Sequence, residues 1–312
     1  MTLTSGAENG QIRRPVIYGC AGVALGPEER VFFEAVQPFG FILFARNIGT
    51  ADEVRALTAA LRATVGDDDA PIFIDQEGGR VARLKAPLAT HRAPMCRFGE
   101  MAEHMGPEAA IACVRAEHRL MAAELMALGI NADCAPVCDL AFPDTHEVIG
   151  DRAFSATPEV VAALAKAAAE GLTAGGVAPV IKHIPGHGRA LADTHEHAAL
   201  IDTPLDTLIK TDFVPFRALR DAPYAMTAHV TLTAIDPDHP VTLSKRVIDE
   251  IIRQEIGFAG QLMSDDLSMK ALGGRMQDRA EGALRAGCDL LLHCNGEMAE
   301  MAAIAEVWGV SA

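Results

Sequence analysis

The chain has 312 residues, half of them apolar, with 27 lysines and arginines against 42 aspartates and glutamates and a formal charge of −15. Length and apolar share suffice for a large core, and the acidity argues against nucleic acid or an anionic membrane surface as a partner. No run of 18 apolar residues is present, so no membrane span is expected.

Residues 1–14 are polar, lack the apolar centre of a secretion signal, and read as a flexible tail ahead of one domain over 15–312. Short apolar runs follow at 16–22, 40–45, 71–75, 131–137, 178–183, 225–230, 261–265 and 289–294, each read as a strand. Segments with apolar residues at helical spacing lie between them, as at 51–65 and 107–129. Gly129, Gly176, Gly257 and Gly287 stand where left-handed helix ends are expected. Eight strand–helix pairs without a linker make a single (β/α)8 TIM barrel, a fold of about 250 residues. A doubly wound open sheet would carry a G-x-G-x-x-G turn after its first strand, and the stretch GCAGVALG has no such spacing. The seven cysteines, at 20, 96, 113, 134, 138, 288 and 294, are odd in number and mostly inside apolar runs. They read as buried thiols of a cytoplasmic protein. Cys134 and Cys138 have no second pair to complete a zinc site.

Strand-to-helix joints are long over 76–106, 138–156 and 184–204, on the side where barrels keep their chemistry. Polar residues gather at the same strand ends: Asp75, Asp139, Lys182, His183, His229, Asp265 and Asn295. In FIDQEGGRVARL (73–84), Asp75 and Arg83 offer complementary hydrogen bonds to a polyhydroxylated ligand. The loop IKHIPGHGRALADTHEHAAL (181–200) concentrates Lys182, His183, His187, Asp193, His195 and His197, a set suited either to metal ligation or to proton transfer with Asp193 orienting an imidazole. In QLMSDDLSMKAL (261–272) a strand ends at Asp265, mounted as a nucleophile should be. Strand alternation turns Asp266 elsewhere, where capping the next segment suits it.

The stretches IDQEGGRVAR, KHIPGHGRALADTH and MSDDLSM resemble the β-N-acetylglucosaminidases of glycoside hydrolase family 3, the bacterial NagZ type, and IGDRAF, MTAHV and AGCDLLLHCN are similar in the same order. The resemblance implies a TIM barrel that removes terminal β-linked N-acetylglucosamine, typically from cell-wall muropeptides during recycling. It implies Asp265 as nucleophile, His195 as general acid/base oriented by Asp193, and sugar contacts from Asp75, Arg83, Arg152, Lys182 and His183. No metal or cofactor is implied. The partner expected is a small carbohydrate, bound by a monomer. One departure stands out: Arg189 occupies a place after HG where an acidic residue is commoner.

Most such hydrolases pair two carboxylic acids, whereas the resemblance implies that here an imidazole, whose ordinary pKa lies near neutrality, supplies the proton. Attack by the sugar's own amide is an alternative and would need Asp265 and Asp266 together. Other classes are a metal-dependent amidohydrolase-like barrel using His195-Glu196-His197, a Schiff-base aldolase using Lys182, and a non-catalytic sugar-binding barrel. With one Trp and two Tyr there is no evident platform for a long glycan, so a short exo-acting pocket is expected.

Overall fold

Eight parallel strands close on themselves: β1 Arg14–Gly19, β2 Pro38–Leu43, β3 Ile72–Ile74, β4 Ala132–Asp133, β5 Ala178–Ile184, β6 Tyr224–Thr227, β7 Gln261–Asp266 and β8 Leu290–His293. Each pairs with its sequence neighbours, and β1 pairs with β8. The computed structural model describes residues 13–142, 147–190 and 199–310.

Two apolar layers follow from the strand period of two. Ile17, Ile42, Phe73, Val180, Met226, Met263 and Leu290 fill the barrel interior. Val16, Tyr18, Phe41, Leu43, Ile72, Ile74, Ile181 and Leu291 face outward against the helices. Asp75, Lys182 and Asp265 continue the inward series of Phe73, Val180 and Met263, so alternation brings them to one mouth above the plug.

Helices Pro27–Val36, Ala51–Val65, Pro107–Met126, Pro158–Ala174 and Met276–Ala286 form much of the outer ring. Helix Ala51–Val65 has the bounds its spacing suggests, fixed by a Thr50–Glu53 capping box and by Gly66. Gly129, Gly176, Gly257 and Gly287 all have positive φ.

Local differences from the sequence reading have physical causes. The fourth strand is two residues long rather than spanning 131–137; beyond it the carbonyls of Ala135 and Pro136 still accept the Val180 and Lys182 N–H groups up to a Val137–Lys182 bridge, while Pro136 has no N–H to add to the ladder. The sixth strand stops at Thr227, and Val230–Leu232 pairs instead with Ala199–Ile201 outside the barrel. The long joint after β3 contains a hairpin, Gln76–Gly78 with Val81–Ala82, and an extra helix, Cys96–Met105. The crossover after β6 ends in a π-helical segment, Val247–Glu255; its buried residues Val247, Ile248, Ile251 and Ile252 recur at a spacing that α and π turns share. All seven thiols are free, five of them buried; Cys96 and Cys113, on helices, are half-exposed. No described helix is long and apolar enough to cross a membrane.

Candidate active site

The barrel mouth opens into a cavity of about 390 Å³ lined by Asp75, Arg83, Arg152, Lys182, His183 and Asp265, together with Arg80, Asp266 and an apolar wall that includes Phe44, Met226 and Met269. Six of the eight residues to which the resemblance gives a catalytic or sugar-contact role therefore converge. The other two, Asp193 and His195, lie outside the described residues, as does the His195-Glu196-His197 stretch.

One side of the cavity is a ladder of opposite charges. Lys182 Nζ donates to Asp75 Oδ1 at 2.8 Å and lies 2.6 Å from Glu77 Oε1. Arg83 Nη2 donates to Asp75 Oδ2 at 3.0 Å. Arg152 grips Glu77 with Nε and Nη2, each at 2.8 Å, in the fork-to-fork geometry that a guanidinium favours. Burial alone would neutralise these groups, but the partners win. Burial would raise the Asp75 carboxyl, yet Lys182 and Arg83 hold it well below the usual range. Burial would also raise Glu77, yet Arg152 and then Lys182 bring it down to about 2. Burial opposes the charge on Lys182, yet Asp75 and Glu77 keep it protonated beyond the ordinary lysine range. An ammonium held this way is not the amine that a Schiff-base aldolase needs.

Glu77 is the residue that sequence reasoning passed over. Its neighbours Gly78 and Gly79, both at positive φ, mark a turn, while the partner that reveals its role, Arg152, is distant in sequence. A signal was available: an acid beside paired glycines, two places after a strand-end aspartate, is poorly placed for solvent.

His183 is fixed from below, its Nδ1 lying 2.7 Å from Asp139 Oδ2, and the same carboxylate accepts the His187 N–H at 2.7 Å. Burial would raise Asp139; His183 and its hydrogen bond bring it below the ordinary value. With Nδ1 engaged, Nε2 is the ring nitrogen left for the cavity.

Across the mouth, Asp265 accepts the Asp266 N–H on Oδ1 at 2.8 Å, and its own N–H donates to Thr227 Oγ1 at 3.2 Å. Burial would raise its pKa, but His229, His183, the Asp266 N–H and Lys182 outweigh it, so the carboxyl sits below its ordinary value and is ionised. Asp266 is occupied elsewhere: Oδ1 accepts the N–H groups of Ser268 and Cys294, and Oδ2 accepts the Ser268 hydroxyl.

The rim loops are tied by arginines. Arg80 bonds the carbonyls of Glu147, Val148 and Ile149 and pairs with Asp151, steadying the turn that carries Arg152. Arg189 donates from Nε to Asp212 Oδ2 at 2.8 Å, and its guanidinium lies 4.1 Å from the Phe142 ring centre, which gives this departure from the family pattern a buried acidic partner.

Residues 28–310 match the model of the glycosyl hydrolase family 3 N-terminal domain. The chain belongs to this family. It is a glycoside hydrolase with the (β/α)8 barrel of that group. A β-hexosaminidase of Xanthomonas campestris pv. campestris (strain B100) is 39% identical over 287 residues, covering 91% of this chain and 85% of the relative. Native NagZ from Neisseria gonorrhoeae superimposes with a TM-score of 0.86 at 33% identity, over 95% of this chain and 89% of that one. The same gonococcal protein in complex with N-trifluoroacetyl-D-glucosamine gives the same score and coverage.

Proposed function

We propose that this hydrolase removes terminal β-linked N-acetylglucosamine with net retention, through a covalent ester on Asp265, and that its substrates are muropeptides recycled in the cytoplasm. The observation that carries the chemistry is an ionised carboxylate at a strand tip, facing the charge ladder across a cavity of monosaccharide scale. The choice of an N-acylated glucosamine draws on the relatives: β-hexosaminidases by name, and the gonococcal NagZ crystallised with such a sugar. Phe44 is the sole phenyl ring among the described residues lining the cavity, which suits a short, exo-acting pocket.

The glycosidic bond breaks through a cation-like state at the anomeric carbon. Asp265 Oδ stabilises that charge and bonds to C1 as the C1–O bond breaks. The leaving oxygen takes a proton from His195, oriented by Asp193 in the role the family resemblance gives both. Water then gives its proton to His195 and its oxygen to C1, and Asp265 leaves as carboxylate. Asp75, Lys182, Arg83, Arg152 and His183 supply donors and acceptors for the sugar hydroxyls. The occupied carboxylate of Asp266 favours covalent capture over attack by the sugar's own amide, which would need that group free.

A panel of aryl β-glycosides tests the donor: preference for N-acetylglucosamine over glucose, xylose and N-acetylgalactosamine is expected. Proton NMR of fresh product should show the β-anomer first. Initial α-anomer, or a fluorosugar trap that labels a residue other than Asp265, would overturn the mechanism.

A further inference from the structure

Behind Asp265 a ring of hydrogen bonds returns to the nucleophile's own backbone. The Asp265 N–H donates to Thr227 Oγ1 at 3.2 Å, and the hydroxyl oxygens of Thr227 and Thr242 lie 2.7 Å apart. Thr242 Oγ1 is 2.7 Å from His229 Nδ1, and His229 Nε2 is 3.1 Å from the Asp266 carbonyl oxygen. All three side chains are buried.

The ends of this ring dictate its direction. A backbone N–H only donates and a carbonyl only accepts, so the proton of the His229 ring sits on Nε2. Burial pushes the His229 pKa below its ordinary value, with Asp265 and the Asp266 carbonyl only partly offsetting it. At neutral pH Nδ1 is therefore a bare acceptor. Thr242, whose hydroxyl lies 3.4 Å from the Ala228 carbonyl but only 2.7 Å from Nδ1, donates to the nearer imidazole, Thr227 donates to Thr242, and the Thr227 oxygen is left to take the Asp265 amide. Every polar atom in the ring then has a partner, and each bond polarises the next in the same sense.

We propose that Thr227, Thr242 and His229 are positioning residues that lock the neutral Nε2–H form of His229 and hold the backbone on both sides of the nucleophile. The proposal rests on Asp265 as nucleophile. It gives two results at once: the carboxylate cannot swing from beneath C1, and the nearby imidazole adds no positive charge where the transition state develops one. Removing the hydroxyl at 242 strips Nδ1 of its donor. The ring can then turn, and the bond to the Asp266 carbonyl goes with it.

Thr242→Val and Thr242→Ser separate this role from packing, because valine keeps the shape and serine keeps the hydroxyl. On an activated aryl β-N-acetylglucosaminide, Thr242→Val should lose about 10–100-fold in kcat with KM within about twofold of wild type, the scale of a small misplacement of a reacting group. Thr242→Ser should stay close to wild type. Nitrogen-15 NMR of labelled histidine should show His229 as the neutral Nε2–H form at pH 7 in wild type and a change of that signature in Thr242→Val. Wild-type kcat in Thr242→Val, serine falling as far as valine, or a charged or Nδ1–H ring in wild type would overturn the proposal. Should the valine variant fail to fold, the wild-type signature and the serine variant decide. Asp265→Asn is assayed alongside: full turnover there would sink the nucleophile reading, while the imidazole signature still judges the ring.

Discussion

Asp265 and Asp266 are neighbours with opposite fates, and the difference comes from what each carboxylate has left to bond. Asp266 takes two backbone N–H groups and the Ser268 hydroxyl, which fastens the end of β7 to the residue after β8. Asp265 receives one backbone N–H and keeps its other oxygen for the cavity, ionised by surrounding donors rather than matched by a single cation. An ion pair with one arginine would have fixed the charge but dulled the nucleophile. Asp265→Asn keeps the shape and the acceptor for the Asp266 N–H, so its melting temperature should not fall. Its turnover should drop on the order of 10⁴–10⁶-fold, as when a member of a catalytic unit is removed. A variant that retains a tenth of wild-type kcat would show that the carboxylate is not the attacking group.

Among the elements, helix Cys96–Met105 has a function that its amphipathic face conceals. Gly99 abuts the turn after Arg152 so closely that an added Cβ would stand 1.8 Å from the Phe154 carbonyl oxygen. Its φ is not in the left-handed region, so space alone demands glycine. Gly99→Ala should push helix and turn apart, costing about 1–3 kcal/mol as overpacking does and loosening the Arg152–Glu77 fork. KM for an aryl β-N-acetylglucosaminide should rise more than kcat falls; unchanged KM together with lower stability would separate the helix from the site.

The same elements show what a sequence can reveal. Strand period, helix spacing and left-handed glycines are local, and they carried the barrel, its order and the strand-end residues Asp75, Lys182, His183 and Asp265; Arg83 was read from its own stretch, and Arg152 came only from the family resemblance. The alternation that favoured Asp265 over Asp266 also reappears in their different partners. The Gly99 contact, the Glu77 fork and the Thr227–Thr242–His229 ring are meetings of distant segments, which no spacing rule encodes. Thr242 stands two places after Pro240, in a short turn at Val241–Leu243, and its bond to His229 exists only once the barrel has closed.

Across the whole molecule, the formal charge is −15. Around the mouth the acids Asp75, Glu77, Asp265 and Asp266 stand with Lys182, Arg80, Arg83 and Arg152, four against four among the described residues. The response of stability to pH is therefore set by how single buried groups differ from the unfolded chain, and two of them pull in opposite directions. Glu77 falls from an ordinary 4.5 to about 2 in the fold. The unfolded chain binds that proton first as pH drops, so the stability Glu77 contributes is full above about 4.5 and lost between there and about 2. Asp133 is the reverse case. It accepts the Gln76 N–H on Oδ1 at 2.9 Å, while Oδ2 is buried without a partner. Burial raises its pKa well above the ordinary 3.8, the Gln76 N–H and Lys182 only partly opposing. Above 3.8 the unfolded chain releases a proton that the fold retains, so each further rise in pH costs stability until the folded group itself ionises. Asp133→Asn keeps the acceptor for Gln76 and removes the titration. Its melting temperature should match wild type near pH 4 and exceed it by a widening margin toward pH 7. Glu77→Gln should do the opposite: near pH 7 it leaves Lys182 and Arg152 short of a partner at a cost of about 3–5 kcal/mol, and the deficit should shrink as the pH falls toward 2. Thermal denaturation of both variants followed by circular dichroism from pH 3 to 7 reads the two slopes, and a margin for Asp133→Asn that stays flat with pH would mean that Asp133 is ionised in the folded barrel.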